Sequence, residues 1–70
     1  MKAISEHRCQ RMLRNQDCTW TITGSNEHAI WYQGILVSTY AVWHSKDSKR
    51  EVDIVYVKRF LKRINQIKNQ

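Results

Sequence analysis

The spacing of apolar residues predicts a helix near the start of the chain. Cys9, Met12 and Leu13 recur at the intervals of one helix face. Ser5 is a suitable N-cap, because a serine hydroxyl can accept a hydrogen bond from a free N–H group of the first turn. The polar residues 15–17 end the apolar pattern. We therefore expect a short helix between Ser5 and residues 15–17.

The hydrophobic period then changes to two, which predicts strands. Residues 18–22 alternate apolar side chains with threonines, as in a half-buried strand. Residues 24–26 read Gly-Ser-Asn and predict a turn, and Gly34 marks a second reversal. Residues 28–33 and 35–43 are rich in strand-forming side chains. Consecutive strands with short connections usually pair, so these three should form an antiparallel meander.

The last part of the chain returns to helical spacing. Residues 46–50 are polar and predict an exposed loop, and Asp53 is a suitable N-cap for the helix that follows. The apolar positions with helical spacing are Ile54, Val57, Leu61 and Ile64. The β-branched run at residues 52–55 is also compatible with a continuation of the sheet, so the start of this helix has two interpretations.

These elements predict a two-layer α+β fold with the order α-β-β-β-α. A three-stranded antiparallel sheet would carry both helices on one face. A chain of seventy residues buries one small core, so residues 1–70 should form a single domain, for which self-association would be a natural source of stability. The N-terminal residues do not resemble a signal peptide and no apolar run is long enough to span a membrane, so we expect a cytoplasmic protein.

The cysteines and histidines do not have the spacing of a metal site. Cys9 and Cys18 could pair, but in an intracellular chain two reduced, partly buried thiols are the favoured interpretation. Together with His28 and His44 they show none of the close clustering of structural zinc sites. We therefore expect no metal and no cofactor.

The positive charge is concentrated at the two ends of the chain. The net charge is +6, yet residues 17–45 contain no lysine or arginine. This distribution is typical of a surface that binds phosphates, although basic side chains also solvate exposed helix faces. The candidate nucleic-acid-binding residues are Arg8, Arg11, Arg14, Lys46, Lys49, Arg50, Lys58, Arg59, Lys62 and Arg63.

The predicted layout resembles a known family. Residues 12–42, MLRNQDCTWTITGSNEHAIWYQGILVSTYAV, and residues 57–64, VKRFLKRI, are similar to the HicA family of toxin ribonucleases, which have a double-stranded-RNA-binding-domain-like fold. In that family a histidine follows a Gly-Ser pair directly or after one residue, whereas here Asn26 and Glu27 precede His28. The resemblance implies a metal-independent, RNA-cleaving toxin held inactive by a cognate antitoxin.

The resemblance places the chemistry at the turn. His28 could act as general acid or base, since an imidazole titrates near pH 6.5 and the ribose 2′-OH would supply the nucleophile. Ser25 and the backbone N–H groups of the turn could bind a phosphate oxygen. His44 is a second candidate. The alternative is that His28 is a polar surface residue beside a hairpin turn.

The aromatic residues permit two interpretations. Trp20, Trp31 and Trp43 fall one on each predicted strand, and unpaired bases can stack on aromatic strands. Because those strands lack lysine and arginine, packing in the core or against a protein partner is favoured. We assign Trp31, Tyr32 and Trp43 to a partner interface.

Three functions are thus compatible with the sequence. The first is the RNA-cleaving toxin. The second is a non-catalytic nucleic-acid-binding module that uses the same basic residues for phosphates. The third is a small inhibitor, of the kind encoded by phages, that docks on a protein through its aromatic side chains.

Overall fold

Five antiparallel strands and two helices make up the chain in a computed structural model that describes residues 2–70. In chain order the elements are β1 (Ala3–Ser5), α1 (Glu6–Asn15), β2 (Cys18–Gly24), β3 (Glu27–Tyr32), β4 (Ile35–His44), β5 (Arg50–Asp53) and α2 (Ile54–Lys68). The strands form one sheet with the order β1-β5-β4-β3-β2.

The predicted three-stranded α-β-β-β-α fold is wrong, because the sheet has five strands. The meander of β2, β3 and β4 continues into β5, where Val42 pairs with Val52. Ile4 in β1 pairs with Val52 from the other side, so β1 forms an edge strand next to β5. Both additional strands are held by pairing with other segments of the chain. Each is too short to show the alternation of apolar and polar side chains from which a strand could be predicted.

The segment between β4 and α2 also differs from its prediction. Arg50, expected in a loop, is the first residue of β5, and the turn before it is closed by a 2.9 Å hydrogen bond from the Ser45 N–H to the Lys49 carbonyl. Val52 and Asp53 prolong the sheet, and α2 begins directly afterwards at Ile54. Each of the two interpretations of residues 52–55 is therefore correct for part of the run.

Side-chain caps begin both helices where the sequence predicts them. The Arg8 N–H donates to Ser5 Oγ at 3.1 Å at the start of α1. The Val55 N–H donates to Asp53 Oδ1 at 2.9 Å at the start of α2. Each bond satisfies one of the free N–H groups of a helix N-terminus.

One hydrophobic core lies between the sheet and the helices. Its buried side chains come from both helices and from four strands: Cys9, Leu13, Cys18, Ile30, Val37, Tyr40, Val42, Val52, Val57, Phe60, Ile64 and Ile67. The alternate strand positions form the opposite side, which we call the outer sheet face. It consists of Ala3, Thr19, Thr21, Glu27, Ala29, Trp31, Leu36, Thr39, Ala41, Trp43, Glu51 and Asp53.

Candidate functional site

His28 is a buried residue of the sheet. It lies in β3, where it pairs with Ile22 and Tyr40, and its exposure is 4 %. Its Nδ1 atom shares a 2.9 Å hydrogen bond with the Tyr40 hydroxyl, and the two rings meet edge to face. The interpretation of His28 as a surface residue beside the turn is therefore wrong.

Tyr40 keeps its proton in this setting. Burial raises the pKa of the Tyr40 phenol to about 12, against a lowering contribution from the Gln10 side chain. The hydroxyl is thus a neutral partner for the His28 ring, and it donates or accepts according to the histidine tautomer. The sequence offered no sign of this pair, because the two residues meet only through strand register.

An ion pair lies beside this pair of rings. Arg50 in β5 donates from Nε and one terminal nitrogen to the two carboxylate oxygens of Glu6 in α1, at 2.9 and 3.0 Å. The hydrogen bonds from Arg50 lower the pKa of Glu6, burial opposes them, and the charges of Arg50, His28 and His44 lower it further. We call Glu6, Gln10, His28, Tyr40, His44 and Arg50 the polar cluster.

Ser25 lies apart from this cluster. It is exposed in the two-residue turn between β2 and β3. Among residues 2–70 the structure contains no hydrogen bond between Ser25 and His28. Within those residues the hydrogen-bond partner of the His28 ring is Tyr40, and the phosphate-binding role of Ser25 stays a prediction.

Most of the candidate phosphate-binding residues lie on the helices. The exposed basic side chains of α1 and α2 are Arg8, Arg11, Arg14, Lys58, Arg59, Lys62, Arg63 and Lys68, and we call them the basic helix surface. Lys68 was missed by the sequence analysis, although a basic residue in the last turn of a helix is favoured by the helix dipole. Lys46 and Lys49 are exposed in the turn between β4 and β5, and Arg50 is held by Glu6.

The three residues assigned to a partner interface do not share one surface. Trp31 and Trp43 lie on the outer sheet face, where the Trp31 Nε1–H donates to Thr21 Oγ1 at 2.9 Å. Trp43 is 39 % exposed, and Leu36, near the other end of β4 on the same face, is 52 % exposed. Tyr32 points to the helix side and packs against the core.

Aromatic rings and cations meet where α1 leads into β2. The Arg14 guanidinium lies 5.2 Å from the centre of the Trp20 ring, and Lys68 Nζ lies 5.4 Å from the centre of the Tyr32 ring. A cleft of about 270 Å³ opens there, lined by Arg14, Cys18, Thr19 and Trp20. The helix ends thus bring cations to β2 and β3, which contain no lysine or arginine, and sequence order alone does not show this.

The cysteines are buried thiols. Cys9 and Cys18 are both free, as the sequence predicts. Burial raises the pKa of Cys9 to about 12 and also raises that of Cys18. Within residues 2–70 no three His, Cys, Asp or Glu side chains are grouped so that they could hold a metal ion. Over the same residues, neither helix has the length and apolar character needed to cross a membrane.

Comparison of the chain with protein-family models, with curated proteins and with solved structures gave no match.

Proposed function

We propose that the protein is a nucleic-acid-binding module that contacts phosphates through its basic helix surface. One observation carries the proposal: the exposed cations of both helices lie on the helix layer, whereas the outer sheet face contains no lysine or arginine. Such segregation concentrates positive potential on one side of a small protein. Neutralised phosphates release counterions, which supplies most of the affinity of sequence-independent binding.

The setting of His28 favours binding without catalysis. A general acid or base must reach the proton that it transfers within hydrogen-bond distance. Here the ring is almost fully buried, and its Nδ1 atom is taken by Tyr40. A structural role in the sheet accounts for both facts.

RNA cleavage by a HicA-like toxin is the second candidate, and the polar cluster is the observation that favours it. Two histidines, an arginine and a carboxylate lie at one end of the sheet. A cognate antitoxin, or another protein partner, would then dock on the outer sheet face, where Leu36 and Trp43 are exposed.

Binding is tested by fluorescence anisotropy with a labelled twenty-nucleotide RNA over a range of salt concentrations. The affinity should fall linearly with salt on a logarithmic plot, by a slope of about 0.7 for each phosphate contact. The double variant Lys58→Glu/Lys62→Glu should weaken binding and lower that slope by about 1.4. The matched variant Lys46→Glu/Lys49→Glu, at the β4–β5 turn, should change little. Salt-insensitive binding, or equal losses in both variants, would overturn the proposal.

Cleavage is tested on the same RNA by gel electrophoresis. If the second candidate is correct, the wild type produces fragments that end in a cyclic phosphate, chelators have no effect, and His28→Ala and His28→Gln are inactive while still folded by circular dichroism. Intact RNA after incubation with the wild type excludes the toxin and leaves the binding module.

A further inference from the structure

We propose that the cleft between α1 and β2 binds an unpaired nucleobase stacked on Trp20, so that the protein prefers single-stranded to duplex nucleic acid. This inference rests on the proposed binding to nucleic acid and names the substrate class. Its basis is the arrangement of two aromatic rings, two cations and one open cleft at the same corner of the molecule.

Trp20 has the position that a stacking platform needs. It lies in β2, an edge strand with a neighbour on one side, and its ring is half-buried on the helix side. The buried part fixes the indole, while the exposed part lines the cleft. Every base has a π face, so stacking on such a ring is tolerant of sequence.

Arg14 provides the accompanying charge. Its guanidinium lies 5.2 Å from the centre of the Trp20 ring, within the range of a cation–π contact. The side chain is exposed in the last turn of α1, so it remains accessible to a phosphate. A base that stacks on Trp20 takes the place of the guanidinium over the ring, and Arg14 then pairs with the phosphate of the same nucleotide.

A second aromatic ring with its own cation lies next to the first. Tyr32 pairs with Cys18, which places it diagonally across the strand pair from Trp20. Two residues in this diagonal relation are separated by roughly 7–8 Å. Lys68 lies over the Tyr32 ring and donates to the Gln16 side chain at 3.0 Å. The ends of both helices thus place cations around the same strand pair.

The local charge favours an anionic ligand despite one acid. Burial raises the pKa of Cys18, the charge of Lys68 lowers it and the charge of Asp17 raises it. Because Cys18 lines the cleft, both charges lie close to the cleft. Arg14 adds a further positive charge. The corner therefore carries two cations against one carboxylate.

The shape of the cleft selects for an unpaired base. At about 270 Å³ it is smaller than the pockets that take drug-sized ligands, which suits a single flat ring system. In a duplex the faces of the bases are covered by their neighbours, so only an unstacked base can lie on Trp20.

The test uses four labelled probes: a ten-nucleotide oligouridine, the matching oligothymidine, an abasic deoxyribose-phosphate chain of the same length, and a duplex hairpin. The wild type should bind both single strands more tightly than the abasic chain by roughly 5- to 150-fold, the equivalent of one stacked base. It should also bind them more tightly than the hairpin. Trp20→Ala should abolish the preference over the abasic chain and keep the salt-dependent binding of that chain.

Two further variants guard against loss of folding. Trp20→Phe keeps an aromatic ring and should retain most of the preference, and Trp43→Ala, on the outer sheet face, should leave it unchanged. Equal binding of oligouridine and abasic chain by the wild type, an unchanged preference in Trp20→Ala, or tighter binding of the hairpin overturns the inference while the proposed function stands. Absence of binding to every probe overturns the proposed function itself.

Discussion

At His28 the register of one hairpin decides whether the ring faces solvent or the core. Side chains alternate along β3, so His28 lies on the same side as the buried Ile30, the side covered by the helices. A slip of one residue would turn the same ring to the outer sheet face. The sequence locates the histidine but does not show its pairing with Tyr40, so the orientation of the ring could not be predicted.

The hydroxyl of Tyr40 should stabilise the fold through His28. Tyr40→Phe leaves the buried His28 Nδ1 without a partner, which costs about 1–3 kcal/mol. Urea denaturation followed by circular dichroism measures the loss. Tyr56→Phe is the matched control, because the half-buried Tyr56 makes no side-chain hydrogen bond within residues 2–70. Equal stability of the two variants would show that the His28–Tyr40 bond contributes nothing.

The elements that could be predicted from the sequence are longer than the others, and the sequence pattern that predicts them lies within the element itself. Helix α2 and the long strand β4 carry their own periodicity, and the caps at Ser5 and Asp53 are local hydrogen bonds. β1 and β5 have three and four residues, and they are strands because Ile4, Val52 and Val42 line up across the sheet. Such pairing is a tertiary effect, and it explains why the sheet was expected to be smaller.

The same limit applies to the candidate site. The basic residues of the helices could be identified from the sequence, since they occupy the positions between apolar residues that recur at helical spacing. The contact of Arg14 with Trp20 depends on how the chain reverses between α1 and β2, where Asp17 has a φ of 60°. Asp and Asn tolerate that conformation better than most residues, yet its consequence for neighbouring side chains is not written in the local sequence.

The ion pair between Glu6 and Arg50 links α1 to β5 and should make stability depend on pH. Because the pKa of Glu6 is lowered in the folded protein, its contribution is present above the ordinary carboxyl value of 4.5 and is lost as the pH falls through the folded value. Glu6→Gln should therefore lower the melting temperature at pH 7, and the difference from the wild type should shrink below pH 4.5.

Thermal unfolding between pH 7 and pH 3 measures this dependence. Glu51→Gln serves as the control, because Glu51 follows Arg50 in β5 and forms no ion pair among residues 2–70. A difference between wild type and Glu6→Gln that stays constant over the whole range would contradict the linkage and assign the effect to packing.

In the whole molecule, the segments of the sequence with and without basic residues form opposite faces of the fold. The middle of the chain, residues 17–45, contains no lysine or arginine and supplies three strands, whereas the basic ends supply both helices. On the outer sheet face the charged residues are acidic: Glu27, Glu51 and Asp53. An approaching polyanion is thus attracted by the helices and repelled by the opposite side, which orients it before contact.

This polarity predicts which lysines a bound oligonucleotide protects from acetylation. Lys62 and Lys68 belong to the basic helix surface, and Lys68 lies over Tyr32 beside the Trp20 cleft. Lys46 and Lys49 follow His44, the last residue of β4. The other end of β4 pairs with Tyr32, and the two ends of the strand are roughly 25–30 Å apart. With a six-nucleotide single strand at about ten times its Kd, acetylation of Lys62 and Lys68 should slow by up to about tenfold, the factor by which free protein is depleted. Lys46 and Lys49 should react as fast as in the free protein.

Mass spectrometry of tryptic peptides reads all four sites in one sample, so each lysine is compared under identical conditions. Uniform protection would mean that the strand wraps the whole molecule, and protection of Lys46 and Lys49 alone would move the binding surface to the polar cluster.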